Sequence, residues 1–249
     1  MTLSEREQRL LEMLADDPSL SVTAMSATLG VSGVTIRSDL QSLEEKGLVL
    51  RTRGGAMPAF HPAVVERMRQ QTGAKERIAK AAAALVADGD TIMVSAGTTT
   101  APMVRHLLGR RRVHVVTNST LVFPYARTNP GLRLTVVSGE FNAASEALLG
   151  LNTLRDLDQY HVKLAFVGSD GFSAARGITA DQVEVAGVVR KMAAQANACI
   201  LMADSSKYGR AGFAHIDDIN VVSTLVTDSG MSEAAQNELR KKKIKFILA

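Results

Sequence analysis

Six short apolar runs limit the fold of this chain more than anything else in its sequence: Thr91 to Ser95, Val113 to Thr117, Leu132 to Ser138, Val162 to Gly168, Cys199 to Ala203 and Val221 to Thr227. Each reads as a buried strand, and helical segments separate several of them. That alternation predicts a largely parallel sheet covered on both faces, a three-layer α/β/α domain over residues 75–249, with ligands received beyond the carboxyl ends of the strands. An alanine-rich helix, Lys75 to Ala87, precedes the first run and stops at Asp88-Gly89-Asp90. The single cysteine, Cys199, lies inside a strand run and reads as an inert core thiol.

The first 57 residues have a different pattern. Ser4 and Glu7 have capping-box spacing, and Leu10, Leu11 and Leu14 follow as an apolar face, predicting a helix from about Ser4 to Ala15 that Asp16-Asp17-Pro18 stops. Ser21 caps a second helix over Val22 to Leu29, ended by Gly30. Ser32 caps a third, in which Ile36, Leu40 and Leu43 share one face while Thr35, Arg37, Ser38 and Gln41 lie on others; Gly47 ends it. Two short helices joined by a glycine turn, over about residues 20–39, have the geometry that lays a recognition helix in the major groove. Leu48 to Ala56 then reads as a strand, a Gly-Gly turn and a return, with Arg51 and Arg53 on one side to reach phosphates or a minor groove. The plain alternative is a three-helix unit whose polar face meets water. Residues 58–74, with Pro58, Pro62 and little periodicity, read as a linker.

Charge does not decide between these readings. The chain carries +4 at neutral pH, yet residues 1–57 hold six basic against eight acidic residues. Much of the positive excess lies in Arg110-Arg111-Arg112 and in Arg240 to Lys243 with Lys245, which read as solvated surface at a turn and a helix end. DNA binding is therefore argued from architecture. No apolar stretch approaches the roughly 20 residues that span a bilayer, and the first residues lack a signal-peptide core, so no membrane partner and a cytoplasmic location are expected. The five histidines share no metal-ligand spacing, and no cofactor is expected.

The loop Ser95-Ala96-Gly97-Thr98-Thr99-Thr100 joins strand to helix and offers hydroxyls, flexible backbone and a helix N-terminus. Those are the ingredients of an anion site, and equally of a capped turn whose threonines satisfy their own backbone. At the next strand end, Asn118 and Ser119 either contact the same ligand or, for Ser119, cap a helix. Asp170-Gly171 and Glu184 offer groups suited to sugar hydroxyls. Lys191 and Lys207 either neutralise a phosphate or are solvated.

Val34-Thr35-Ile36-Arg37-Ser38-Asp39-Leu40, Leu43-Glu44, Gly47-Leu48-Val49 and Arg53-Gly54-Gly55-Ala56 together resemble the N-terminal signature of the DeoR (GlpR-like) bacterial regulators. Ala96 to Thr100, Thr117-Asn118-Ser119, Val167 to Gly171, Gly177-Ile178-Thr179 and Ala203 to Gly209 are similar to that family's sensor-domain landmarks, in order. Where the family commonly has Asp-Ser-Gly, this chain has Ser95-Ala96-Gly97. The resemblance implies a winged helix-turn-helix repressor of a sugar-catabolic operon. It implies operator DNA as one partner and, as effector, a phosphorylated sugar held by Gly97, Thr98, Thr99, Thr100, Asn118, Ser119, Asp170, Gly171, Glu184, Lys191 and Lys207. Because one short helix reads too few base pairs, a homodimer or homotetramer is expected.

The same landmarks resemble the ribose-5-phosphate isomerase fold, which raises a sugar-phosphate isomerase as the alternative, with Glu184 as its base. The isomerase pattern has further acids after the Asp-Gly pair and a lysine before a glycine run. Here Phe172-Ser173 and Arg176-Gly177 stand in those places, so a sensor without catalysis is expected.

Overall fold

A computed structural model describes residues 3–249, which divide into two compact units between Thr72 and Gly73. In the first, α1 (Glu5–Asp16), α2 (Val22–Leu29) and α3 (Gly33–Glu45) are followed by a hairpin of β1 (Val49–Thr52) and β2 (Gly55–Pro58), then by α4 (Pro62–Arg69). All three expected caps form: the hydroxyls of Ser4, Ser21 and Ser32 accept from the amides of Glu7, Ala24 and Thr35. Each such cap contributes about 1 kcal/mol. Gly30, in the left-handed region at φ 64°, ends α2. Leu10, Leu14, Met25, Ile36, Leu40 and Leu43 are completely buried and form the core of this unit.

Two expectations need correction here. The wing turns on Arg53-Gly54, and Gly55 already belongs to the return strand, where it pairs with Thr52. Gly55 also bridges to Ser21, and a Cβ there would stand 2.7 Å from the carbonyl oxygen of Leu20, so the wing packs as closely as it does only on glycine. Residues 58–74 are mostly helical, not an irregular linker. Pro62 takes the first turn of α4, His61 Nδ1 accepts from the Ala63 amide, and Val65 joins the core with Phe60 and Met68 packed beside it. Eight residues were too few for periodicity to show.

Glu7 ties α1 to α3. Its carboxylate accepts from Lys46 Nζ at 2.5 Å, Ser42 Oγ at 2.7 Å and the Ser4 amide at 2.7 Å. Burial alone would raise its pKa, but the bonds from Lys46, Ser42 and Ser4 outweigh that and hold it at about 2, against an ordinary 4.5. A folded-state pKa below the unfolded one stabilises the fold above about pH 4.5, and the contribution is lost as pH falls towards 2. The expected size is roughly 2 to 3 kcal/mol. Hydrogen exchange of the α1 amides in the full-length protein should therefore accelerate between pH 5 and 3 beyond the intrinsic rate, and Glu7→Gln should remove much of that dependence. An unchanged pH profile in the variant would contradict the assignment.

The second unit begins with α5 (Thr72–Ala83), which starts before and ends ahead of the expected Lys75 to Ala87. Its strands and helices run β3 (Thr91–Val94), β4 (Val113–Thr117), α6 (Phe123–Ala126), β5 (Leu132–Val136), β6 (Glu140–Asn142), β7 (Ala147–Leu149), α7 (Leu151–Leu157), β8 (Val162–Val167), β9 (Gly171–Ser173), β10 (Gly177–Ala180), α8 (Val183–Ala194), β11 (Ala196–Met202), β12 (Ala214–Asp217), β13 (Val222–Thr227), α9 (Glu233–Lys241) and β14 (Lys245–Leu248). Seven strands form one parallel sheet in the order β14-β13-β11-β8-β3-β4-β5, containing all six runs read from sequence. The seventh, β14, lies beyond the basic run Arg240 to Lys243, so Lys245 belongs to a strand and not to the solvated helix end that the sequence suggests. Lys245 is exposed in this edge strand and Phe246 and Ile247 are partly covered.

From β3 the chain moves outward to β5, then returns to β8 on the other side of β3 and moves outward again. Right-handed crossovers place the connections of the two halves on opposite faces, which makes the three layers. The reversal between β3 and β8 is a topological switch point, where the loops leaving the two strands diverge and open a crevice. An antiparallel sheet, β12-β10-β9, and a hairpin, β6-β7, are added at the carboxyl side. These strands have three or four residues each, too few to show alternation. Cys199 is buried in β11, and burial pushes its thiol up to about 12, which leaves it unreactive. No helix among the described residues is long and apolar enough to cross a membrane.

Candidate functional site

In the first unit α3 has two faces. Ile36, Asp39, Leu40 and Leu43 face inward; Asp39 is held by Arg6, which donates from Nε at 2.5 Å and from its terminal nitrogen at 2.9 Å. Arg37, Ser38 and Gln41 are exposed together on the other side, at helical spacing. Thr35 stands apart and half-buried, its hydroxyl 2.9 Å from Ser32 Oγ, so it belongs to the cap more than to the exposed face. Arg37 folds back towards the start of the helix, its guanidinium beside Gly33.

The wing arginines separate. Arg53 is exposed at the hairpin tip. Arg51 turns onto α3: its guanidinium donates to the Arg37 carbonyl at 3.3 Å, and its Nε is buried without a partner among the described residues. Strand alternation pointed both outward together, but Arg53 lies in the turn, outside the strand. Arg51 braces the wing against the helix.

In the second unit, the Ser95–Thr100 loop leaves β3 at the switch point. Ser95 and Asn118 fix its path. The Ser95 amide donates to Phe166 O at 2.9 Å, and Ser95 Oγ accepts from the Gly168 amide at 3.2 Å. Asn118 accepts from the Ala96 amide at 2.9 Å and donates to Leu148 O at 3.2 Å. With both ends of its side chain engaged, Asn118 positions the loop. Thr100 is completely buried and its hydroxyl donates to Ser95 O at 2.7 Å, so it closes the turn from inside. The capped-turn reading thus holds for Thr100. The helix that follows, Ala101–Leu107, is 3-10, and Thr100 makes no side-chain cap to it, so no α-helical dipole adds to the loop as expected.

The other half of the loop is arranged differently. Thr98 and Thr99 are half-exposed, and the amides of Gly97, Thr98 and Thr99 donate to no group of the chain among the described residues. Beside them is a lysine that the sequence reading passed over. Lys75 of α5 is only 7% exposed, and its ammonium donates to Thr98 Oγ1 at 3.2 Å. The buried Lys75 ammonium and these three amides therefore stand together on one side of the loop.

The remaining candidates scatter. Ser119 is completely buried, makes no side-chain cap and leaves its Oγ without a partner among the described residues. Asp170, at the end of β8, accepts from the Asp181 amide at 2.9 Å and is half-buried. Gly171 starts β9, and a Cβ there would stand 2.3 Å from Arg210 O, so the close packing at this point requires glycine. Glu184 is exposed in the first turn of α8, on the carboxyl side of the sheet. Lys207 is half-buried in the turn after β11, which Asp228 holds through Ser205; burial would raise the Asp228 carboxyl, but the Ser205 and Gly230 amides hold it low. Lys191 is at the wrong end. It lies in the last turn of α8, which runs back to the amino ends of the strands, and pairs there with Asp158 at 2.7 Å.

Known proteins match both units. Residues 6–59 match the DeoR-like helix-turn-helix domain, and residues 70–229 match the DeoR C terminal sensor domain. The HTH-type transcriptional repressor GlcR of Bacillus subtilis is 32% identical over 92% of this chain and 89% of its own. A protein of Escherichia coli O157:H7 named for transcriptional repression of the aga operon is 30% identical over 98% of this chain and 93% of its own. Among solved structures, ribose 5-phosphate isomerase A of Methanocaldococcus jannaschii is 24% identical over 54% of this chain and 53% of that one, at a TM-score of 0.39, too distant to bear on activity.

Proposed function

Because this chain belongs to the DeoR family of DNA-binding transcription regulators, we propose that it represses a sugar-catabolic operon and is released from its operator by a phosphorylated sugar. The observation that carries the effector half of this reading is the group formed by Lys75, Thr98 and the unpaired amides of Gly97 to Thr99 at the switch point. A phosphate dianion can accept from those amides and from the Thr98 hydroxyl, with the Lys75 ammonium beside them. Thr99, Asp170, Glu184 and Lys207 are the groups left to meet the sugar. The names of the two relatives, both repressors and one of a named operon, support the regulatory half. The isomerase alternative is not favoured: both matched family models and the named relatives are transcription regulators.

Release follows from linkage. An effector lowers operator affinity only if it binds the DNA-incompetent arrangement more tightly, with a coupling of about 1 to 3 kcal/mol. The experiment is a titration of sugar phosphates, each beside its unphosphorylated sugar, into full-length protein bound to a duplex selected from random sequence. One phosphorylated sugar should release the duplex and raise the melting temperature. At a hundred times its dissociation constant it adds about 2.7 kcal/mol to the folded state. Release by the unphosphorylated sugar alone would refute the phosphate reading. In the same samples light scattering should give a dimer or tetramer, since paired half-sites mirror a two-fold axis.

A further inference from the structure

The exposed face of α3 contains one residue that does not belong on a merely solvated surface. Val34 is in the first turn of the helix and is 74% exposed. It lies three and four residues before Arg37 and Ser38 and seven before Gln41, so Val34, Arg37, Ser38 and Gln41 form one continuous stripe opposite Ile36, Leu40 and Leu43. It is the apolar member of that stripe and is β-branched, a type that helices and solvent both disfavour. Nothing in the core uses it.

Resting on the operator-binding reading, we propose that Val34 is a specificity-determining residue that packs against the C5-methyl group of a thymine in the major groove. The N-terminal residues of a recognition helix are those that reach base edges, and an exposed aliphatic side chain there has one natural complement, the methyl group that marks thymine. Gly33 beside it adds no bulk to hold the helix off the bases, and the Arg37 guanidinium comes to the same turn. Side chains three apart on a helix stand about 5 to 6 Å from one another. With base pairs about 3.4 Å apart along the duplex, the thymine lies one or two base pairs from the pair that Arg37 reads.

The test uses full-length protein and a duplex it selects from a random library. Each thymine of the half-site is replaced in turn by deoxyuridine, which deletes one methyl and keeps every hydrogen bond. For the native chain, one replacement should weaken binding about three- to tenfold, the others little. Val34→Ala, a change that favours the helix, should lose about the same factor on the thymine duplex and be indifferent to deoxyuridine at that position. Putting 5-methylcytosine for cytosine at that position, with the pair changed to match, should recover part of the loss for the native chain only. If no single deoxyuridine weakens binding, or if Val34→Ala responds to it as the native chain does, the inference is overturned. Failure to enrich any duplex would instead overturn the operator-binding reading beneath it.

Discussion

Arg37→Ala should lower affinity for the selected operator about 5- to 150-fold while leaving affinity for unrelated duplex nearly unchanged. The expectation rests on one long donor at the centre of the α3 stripe, exposed and close to the helix start. An arginine there can donate two parallel bonds to the O6 and N7 of a guanine, which is worth about 1 to 3 kcal/mol of discrimination. The side chain makes no ion pair with any carboxylate of the described residues, so its removal costs the fold little. Arg53→Ala should behave differently. A wing-tip arginine on phosphate weakens all duplexes alike and lowers the salt slope of binding by about 1. A gel-shift titration at two salt concentrations separates the two, and operator affinity for Arg37→Ala equal to that of the native chain would remove Arg37 from the reading surface.

Lys75→Met should leave operator binding intact and make the protein deaf to its effector, raising the concentration for half-release by about 10- to 150-fold. A hydrogen bond to a charged group contributes about 1.5 to 3 kcal/mol, and the Lys75 ammonium already reaches the loop at Thr98 Oγ1. Methionine keeps the buried stem volume, and a thermal melt beside the native chain checks that the fold is retained before the titration is read. Thr99→Ala should give a smaller shift. Thr100→Ala should instead destabilise the loop, because its hydroxyl holds Ser95 O from within. The measurement is fluorescence anisotropy of labelled operator during effector titration. An unchanged half-release concentration in Lys75→Met would move the phosphate to the end of β11, where Lys207 becomes the better cation.

The parts of this protein that the sequence determines by itself are those whose signals act within one or two turns of chain. Ser4, Ser21 and Ser32 cap their helices because a hydroxyl can reach an amide three residues on and no farther. The 36, 40, 43 spacing fixes which side of α3 is inward, and the six strand runs and their order declare a parallel sheet before any contact is known. Tertiary structure alone decided the rest, because direction and depth are not local properties. Lys191 looked like a phosphate ligand until the course of α8 carried it to the amino ends of the strands. Arg51 shares composition and wing with Arg53, yet one turns inward to a helix carbonyl and the other ends in solvent. Thr98, Thr99 and Thr100 are identical letters in a row; packing against β8 buries the third and leaves the first two at the crevice. Lys75 sits 23 residues before the hydroxyl it meets, on a helix whose alanines announced only that it would pack. A sequence pattern records which face of an element is apolar, whereas a binding site is made where several elements end, and only the folded sheet brings those ends together.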